Sequence, residues 1–334
     1  MGKTRAFCAG GELSEVVSED GIALFIGPEY QLDYYISRYP KPQIAIWNGI
    51  VMGAGYGLTG HADIRVATEH FQFAMPESRF GLIADVGCAH LLTKQCPEYL
   101  GRYLTLTADR IRGTEAVWSG VSTDFVSSSQ LASLYNALLQ AVSEFFAHSN
   151  PTTSQGSSLL LLLRTIVRAE STEPEKSHHH LPRLQRLYPH IKSVFGLKSL
   201  ADIYTELKNI STSEKAMDQE QTDWIKFCLN AFNIDCCPFS STANFTMMLK
   251  AAEKSFSYSD SLINDYRAAI RIALREDIRL GAMGILFKTG PPKWSPSSIF
   301  DVSQEEIARL FYSLQAFPTE AVCADLDLPG PYLC

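Results

Sequence analysis

The stretch that decides the fold is residues 41–85, KPQIAIWNGIVMGAGYGLTGHADIRVATEHFQFAMPESRFGLIAD. Its first apolar run, residues 43–47, predicts a buried strand. The small residues at 52–55, MGAG, then allow a ligand to approach the backbone closely. A helix that begins there has N–H groups without intrahelical acceptors at its positive end. The pattern therefore predicts a strand followed by a backbone site for a developing negative charge.

Two more strands are predicted downstream as a pair, over residues 63–68 and 71–75. They lead to Glu77 and Asp85, which we expect on a loop and at the start of the next helix. A carboxylate beside a bound acyl group can activate water or attack the carbonyl carbon itself, and burial raises its pKa toward a useful range. The stretch therefore indicates acyl-transfer or enolate chemistry.

Composition excludes several classes of protein. The chain has 334 residues, of which 46% are hydrophobic, so it can bury one large core or two modest ones. Its net charge of −7 argues against a general electrostatic attraction to nucleic acid. The eight cysteines contain no CxxC pair, a pattern typical of ordinary thiols in a reducing compartment. We expect no metal site, and no apolar run is long enough to span a membrane.

The rest of the chain is mainly helical in pattern. Residues 12–38 fit a helix over the small-residue bend, and this helix carries Glu29. Short helices are predicted at 84–94, 97–106 and 114–119, the last capped by Thr114, followed by a strand at 121–126 and a helix at 130–148. Further helices are predicted at 197–209, 217–233, 243–255, 259–275 and 304–315. We expect a core over residues 1–148, a linker with a short helix over 149–186, and a helical region over 187–334.

Several segments of the sequence resemble 3-hydroxyisobutyryl-CoA hydrolases of the crotonase superfamily. They are AFCAGG at 6–11, KPQIAIWNGIVMGAGYGL at 41–58, RVATEHFQFAMPESRFGLIADVG at 65–87, DYRAAIRIALR at 265–275 and GPPKWSP at 290–296. The resemblance implies an α/β fold with a core of repeated ββα units and a helical C-terminal region over the active site. The first unit is largely missing, so we expect an N-terminally truncated chain.

The resemblance also implies a role for each site residue. The backbone N–H groups of Gly11 and Ala54 would bind the thioester oxygen, and alanine replaces the usual family glycine at position 54. Glu77 would act as base or nucleophile, Asp85 would assist, and Glu29 would contact the substrate. Simpler interpretations stay open: the glycines as tight turns, Glu77 and Asp85 as first-turn acids, and Glu29 as part of a solvated helix face.

The implied reaction is hydrolysis of a short 3-hydroxyacyl-CoA, in the first place 3-hydroxyisobutyryl-CoA, as in valine catabolism. Gly57 favours hydrolysis over hydration, because hydratases of the superfamily carry a glutamate at the corresponding position. Coenzyme A would be part of the substrate, and no separate cofactor is expected. Two alternatives stay open: another crotonase-family enzyme such as an enoyl-CoA hydratase/isomerase, and a non-catalytic component of the mitochondrial small ribosomal subunit.

The same resemblance implies a mitochondrial location, with no transit peptide expected within this chain, and a homo-oligomer as one option. Contact with nucleic acid is expected only for a ribosome-associated protein. Leu280 and Met283 stand where the family has a glutamate and an arginine, and Glu12 stands where it has an aspartate. His61, His90 and the run at 178–180 are interpreted as core or solvated histidines. Lys293 could meet CoA phosphates or belong to a capping turn.

Overall fold

The computed structural model describes residues 5–16, 21–147, 156–171, 181–213, 217–316 and 325–328. Two small sheets lie in the first half of this chain. Their strands are β1 Ala6–Cys8, β2 Ile44–Trp47, β3 Ile50–Met52, β4 Ile64–Ala67, β5 Gln72–Ala74, β6 Ile111–Arg112 and β7 Asp124–Phe125. One sheet has the order β1-β3-β5-β6 and the other the order β2-β4-β7. All neighbouring strands are parallel except β5 and β6.

From β1 to β5, the strands enter the two sheets alternately. The expectation that the strands at 63–68 and 71–75 pair with each other is therefore wrong, because β4 pairs with β2 while β5 pairs with β3. The turn at Gly49 shows how the chain crosses from one sheet to the other. Gly49 has φ +131°, and a Cβ atom there would lie 2.9 Å from the carbonyl oxygen of Arg5. Only glycine fits a turn this close to the neighbouring chain.

Helices make up most of the remaining structure. They are α1 Leu13–Val16, α2 Gly21–Ser37, α3 Ala54–Thr59, α4 Cys88–Gln95, α5 Leu100–Thr107, α6 Glu115–Trp118, α7 Leu131–Ala147, α8 Gly156–Glu170, α9 Arg183–Phe195, α10 Leu200–Ser211, α11 Gln219–Asn230, α12 Pro238–Ala251, α13 Tyr258–Ala273, α14 Glu276–Leu286 and α15 Gln304–Leu310. None of the described helices has the length and apolar character needed to cross a membrane.

Most predicted helices are confirmed, with some corrections. The single helix expected over 12–38 is divided into α1 and α2, and α9 and α14 were not predicted. The predicted cap at Thr114 is wrong, because its side chain makes no capping hydrogen bond. Glu115 instead accepts hydrogen bonds from the backbone N–H groups of Arg112 and Leu184. The strand expected at 121–126 is reduced to the two residues of β7.

The main core contains both the sheets and the C-terminal helices. Trp47 stacks on Phe71 with ring centroids 5.4 Å apart, and Tyr56 meets Phe73 at 4.8 Å. The same cluster of buried residues continues through α9–α13 as far as Leu326. A cavity opens beside the ends of β1 and β3, with α2 on one side and Ile285 of α14 on another. The proposed division at 148 and 186 stays a prediction.

A second apolar cluster lies under α7 and α8. Leu134 on α7 and Leu159 and Leu163 on α8 pack with Ile64 and Val66 of β4. The helix predicted between 149 and 186 is therefore α8, and it covers one face of the β2-β4-β7 sheet. The histidine run at 178–180 lies outside the described residues.

Candidate active site

Two glycine-containing bends touch each other near the ends of β1 and β3. The first, residues 9–11, follows β1, and the second, residues 52–54, leads from β3 into α3. Because β1 and β3 are parallel neighbours, both bends lie at the same edge of the sheet. A Cβ atom placed on Gly53 would lie 3.6 Å from Gly10 Cα. Gly10 has φ +101° and Gly53 has φ +49°, so both positions require glycine.

The two predicted donors belong to these bends. Ala54 is the first residue of α3, so its N–H group has no acceptor within the helix. In the described ranges, neither this N–H nor that of Gly11 has a hydrogen-bond acceptor. Both groups are therefore free to bind an oxygen of a ligand. Their binding of a thioester oxygen stays a prediction.

A cavity of about 420 Å³ opens beside the two bends. Much of its wall is apolar, with Phe25 and Ile26 from α2, Leu82 from the loop after β5, and Ile285 from α14. All five predicted site residues line it: Gly11, Glu29, Ala54, Glu77 and Asp85. The fold thus brings three separated acids to the two backbone bends.

Glu77 lies directly against the second bend. It begins a short 3-10 helix, Glu77–Phe80, and its side chain is only 4% exposed. Its Oε1 atom lies 3.0 Å from the position of a Cβ atom on Gly53, while Oε2 has no hydrogen-bond partner among the described residues. Burial, and then the charges of Asp85 and Glu29, raise the pKa of Glu77 well above its usual range. An acid that only capped a helix would face solvent, so this burial favours a role in the cavity.

Asp85 lies in a turn before α4 rather than in the helix expected from residue 84. Val86 and Gly87 have φ +54° and +73°, which delays the helix until Cys88. The Tyr30 hydroxyl on α2 donates a hydrogen bond of 2.5 Å to Asp85 Oδ2. Burial raises the pKa of Asp85 to about 6, although the bond from Tyr30 opposes this rise. Tyr30 is thus a site residue that the sequence did not identify.

The acid pair differs in protonation. Because Tyr30 stabilises the charged form of Asp85, Asp85 ionises before Glu77 as the pH rises. When Asp85 carries its charge, Glu77 therefore still holds its proton. Such a pair contains both a proton donor and a proton acceptor, which general acid–base catalysis requires.

Glu29 is a third acid of the cavity. It lies on α2, one residue before Tyr30, and burial followed by the charges of Asp85 and Asp33 raises its pKa to about 9. The alternative of a solvated helix face is not what the structure shows, because Glu29 lines the cavity. Its neutral carboxyl group can donate a hydrogen bond to a ligand.

Two C-terminal helices hold the turn that carries Asp85. Asn244 on α12 accepts a hydrogen bond from the N–H of Ala84 at 2.9 Å, and Asp265 on α13 accepts one from Gly87 at 2.8 Å. Burial raises the pKa of Asp265 well above its usual range. Asp265 belongs to the DYR word at 265–267, so a sequence signal existed although no role followed from it.

The other candidate residues lie away from the cavity. Burial lowers the pKa of His61 to about 4, and His61 and His90 both lie beside Tyr258. Lys293 is exposed and does not line the cavity, whereas Trp294 is buried and donates a hydrogen bond to the carbonyl of Ile234. The GPPKWSP word therefore anchors a loop. In the described part of the chain, no group of His, Cys, Asp or Glu is arranged to hold a metal ion.

The family model for Enoyl-CoA hydratase/isomerase matches residues 1–311. The chain belongs to this crotonase family. An enoyl-CoA hydratase structure from Rhodobacter sphaeroides 2.4.1 superposes with a TM-score of 0.74 at 26% identity, covering 96% of this chain and 83% of that one. The crotonase fold with a helical C-terminal region is thereby confirmed.

Within the crotonase family, the similar sequences include several hydrolases. A probable 3-hydroxyisobutyryl-CoA hydrolase 3 from Arabidopsis thaliana is 31% identical, covering 93% of this chain and 78% of its own length. The mitochondrial 3-hydroxyisobutyryl-CoA hydrolase of Homo sapiens is 29% identical, and the match covers 93% of this chain and 75% of the human protein. The small ribosomal subunit protein mS47 of Neurospora crassa is 28% identical, and the match covers 89% of this chain and 58% of that protein. The predicted resemblance to this hydrolase group is confirmed.

Proposed function

We propose that this protein hydrolyses a short 3-hydroxyacyl-CoA thioester, with 3-hydroxyisobutyryl-CoA as the first candidate substrate. The observation that carries the proposal is the contact between the buried Glu77 carboxyl group and the Gly53 bend, beside two unbonded backbone N–H groups. The names of the similar hydrolases support the same reaction and a mitochondrial location. Coenzyme A enters as part of the substrate.

The reaction begins with the thioester carbonyl oxygen between the N–H groups of Gly11 and Ala54. The proton of Glu77 passes to Asp85, and the Glu77 carboxylate then takes a proton from water as the hydroxide oxygen bonds to the carbonyl carbon. The two N–H groups stabilise the negative oxygen of the tetrahedral intermediate. When the C–S bond breaks, Glu77 gives the proton taken from water to the leaving thiolate, and the products are free acid and CoA. The proton held by Asp85 then passes back to Glu77, which restores the starting state.

The neutral carboxyl group of Glu29 lies at the α2 wall of the same cavity. It can donate a hydrogen bond to the hydroxyl oxygen of a 3-hydroxyacyl group, which would select this substrate over an unsubstituted acyl chain. A hydroxyl group that is bound in this way loses little when it leaves water, because its hydrogen bonds are replaced.

Hydration of an enoyl-CoA is the competing reaction. A hydratase of the superfamily carries a glutamate at the position of Gly57, and here that position has no side chain. A Cβ atom on Gly57 would lie 2.6 Å from Asp33 Oδ2 and 2.7 Å from Val86 Cβ. The packing therefore leaves no room for a catalytic glutamate there, which supports hydrolysis.

The direct test is release of free CoA from 3-hydroxyisobutyryl-CoA by the purified protein, followed with a thiol reagent. Glu77→Gln and Asp85→Asn should each lower kcat at least about 100-fold. Glu305→Gln on α15, an exposed glutamate, is the matched control and should leave kcat in place. Hydration of crotonyl-CoA without any CoA release would refute the hydrolase proposal.

The match to mS47 supports a second candidate, a structural component of the mitochondrial small ribosomal subunit. The retained acids do not decide between the two functions, whereas binding of the protein to small ribosomal subunits does. Salt-resistant co-sedimentation with small ribosomal subunits would favour the structural function. Migration of the protein only as a free species would contradict it.

A further inference from the structure

Asp33 is a buried acid behind the site that the proposed reaction does not use. It lies on α2, one helical turn after Glu29, and its side chain is fully buried at 0% exposure. Neither carboxyl oxygen has a hydrogen-bond partner, and no ion pair to it exists in the described part of the chain. Buried charged groups are normally paired, so this side chain requires an explanation.

The Asp33 carboxyl group fills the space between α3 and the turn that carries Asp85. Its Oδ2 atom lies 2.6 Å from the position that a Cβ atom on Gly57 would take, and Val86 Cβ lies 2.7 Å from the same position. Asp33 does not line the cavity, so it cannot touch a substrate there. Any effect on the reaction must therefore pass through the neighbouring Asp85 turn.

The titratable groups that interact with Asp33 within the described residues are three acids and one phenol. Glu29 lies on its own helix, Asp85 lies on the adjacent turn, and Asp265 and Tyr258 face it from α13. With no cation among them, ionisation of Asp33 would place an unpaired charge in the interior. Burial and then the charge of Asp85 raise the pKa of Asp33 to about 8.

We propose that Asp33 is a positioning residue: its neutral carboxyl group packs behind Asp85 and supports the reactive arrangement of the acid pair, and loss of its proton disables the site at alkaline pH. This inference rests on the proposed hydrolase function. An ionised Asp33 adds a negative charge close to a reaction that itself develops negative charge on the carbonyl oxygen.

The kinetic test measures kcat/KM for CoA release between pH 6 and 10. Asp33→Asn keeps the shape of the side chain but cannot ionise, so it should retain most of the activity at pH 7 and move the alkaline limb up by about one pH unit or more. Asp33→Ala empties the space behind Asp85 and should lower kcat/KM at every pH. An Asp33→Asn alkaline limb that coincides with that of the wild type overturns the proposal.

A second test needs no catalytic activity. The infrared spectrum at pH 7 should contain the C=O band of a protonated carboxyl group that Asp33→Asn removes and that the wild type loses between pH 7 and 9. Asp202→Asn, an exposed aspartate on α10, is the control. Absence of this band from the difference spectrum overturns the proposal. If the band is present but no thioester is hydrolysed, the neutral Asp33 stands and the hydrolase function fails.

Discussion

Tyr30→Phe should move the acid limb of the pH–rate profile for thioester hydrolysis. The Tyr30 hydroxyl is fully buried and donates a 2.5 Å hydrogen bond to Asp85, whose pKa burial raises to about 6. A hydrogen bond to a charged group contributes about 1.5–3 kcal/mol. Because one pH unit corresponds to about 1.4 kcal/mol, loss of the bond should raise the pKa of Asp85 by about 1 to 2 pH units.

The assay for Tyr30→Phe is kcat/KM for CoA release from pH 5 to 9. Well below the limb, where only the ionised fraction of Asp85 reacts, the variant should be about 10- to 100-fold slower than the wild type. At pH 9 the two proteins should differ little. Tyr204→Phe removes a comparable hydroxyl hydrogen bond, to Asn233 near the surface, and should leave the profile in place. An unmoved acid limb in Tyr30→Phe would refute the assignment of that limb to Asp85.

Three other predictions concern the bends and the buried acids. Gly53→Ala should destabilise the fold by about 1–3 kcal/mol and slow CoA release at least about 100-fold, because the bend has φ +49° and a methyl group would meet Glu77. Gly156→Ala is the control, because a methyl group at position 156 meets no crowding. Normal turnover in Gly53→Ala would contradict the role of the bend. Gly57→Glu should not create hydratase activity and should lower the free energy of unfolding, measured in urea, by about 1–3 kcal/mol, because Asp33 and Val86 already fill the space beside position 57. A stable variant that hydrates an enoyl-CoA would show that this space is open. Because the pKa values of Glu29 (about 9) and Asp33 (about 8) are raised, the folded state binds more protons than the unfolded state above about pH 4. The melting temperature should therefore fall from pH 5.5 to pH 9. A rise of the melting temperature over this range would contradict these shifts.

The sequence predicts the central part of the fold well because the signals there are local. An apolar run followed by small residues specifies β2 and α3, and these two elements lie where the pattern places them, whereas the short strand β3 between them was not predicted. The pairing of β4 and β5 could not be predicted in the same way. Alternation along a strand shows that one face is buried, but it does not show which of two sheets the strand joins.

For the site too, the residues with local sequence signals could be predicted and the contacts between distant residues could not. Gly11, Ala54, Glu77 and Asp85 stand in recognisable words, and the structure brings them together in one cavity. The supporting contacts join distant positions: Tyr30 bonds to a residue 55 positions away, and the Asp265 bond spans 178 positions. No local pattern encodes such contacts. The left-handed turn at residues 86 and 87 likewise depends on the packing of α13, so the start of α4 could not be placed from sequence.

The most direct test of the proposed site is a crystal structure with a CoA analogue in which a methylene group replaces the thioester sulfur. We predict that the carbonyl oxygen lies about 2.7–3.1 Å from the backbone nitrogens of both Gly11 and Ala54. We also predict that the carbonyl carbon faces Glu77. A carbonyl oxygen bound elsewhere, or a Glu77 side chain turned away from the acyl group, would contradict the central claim.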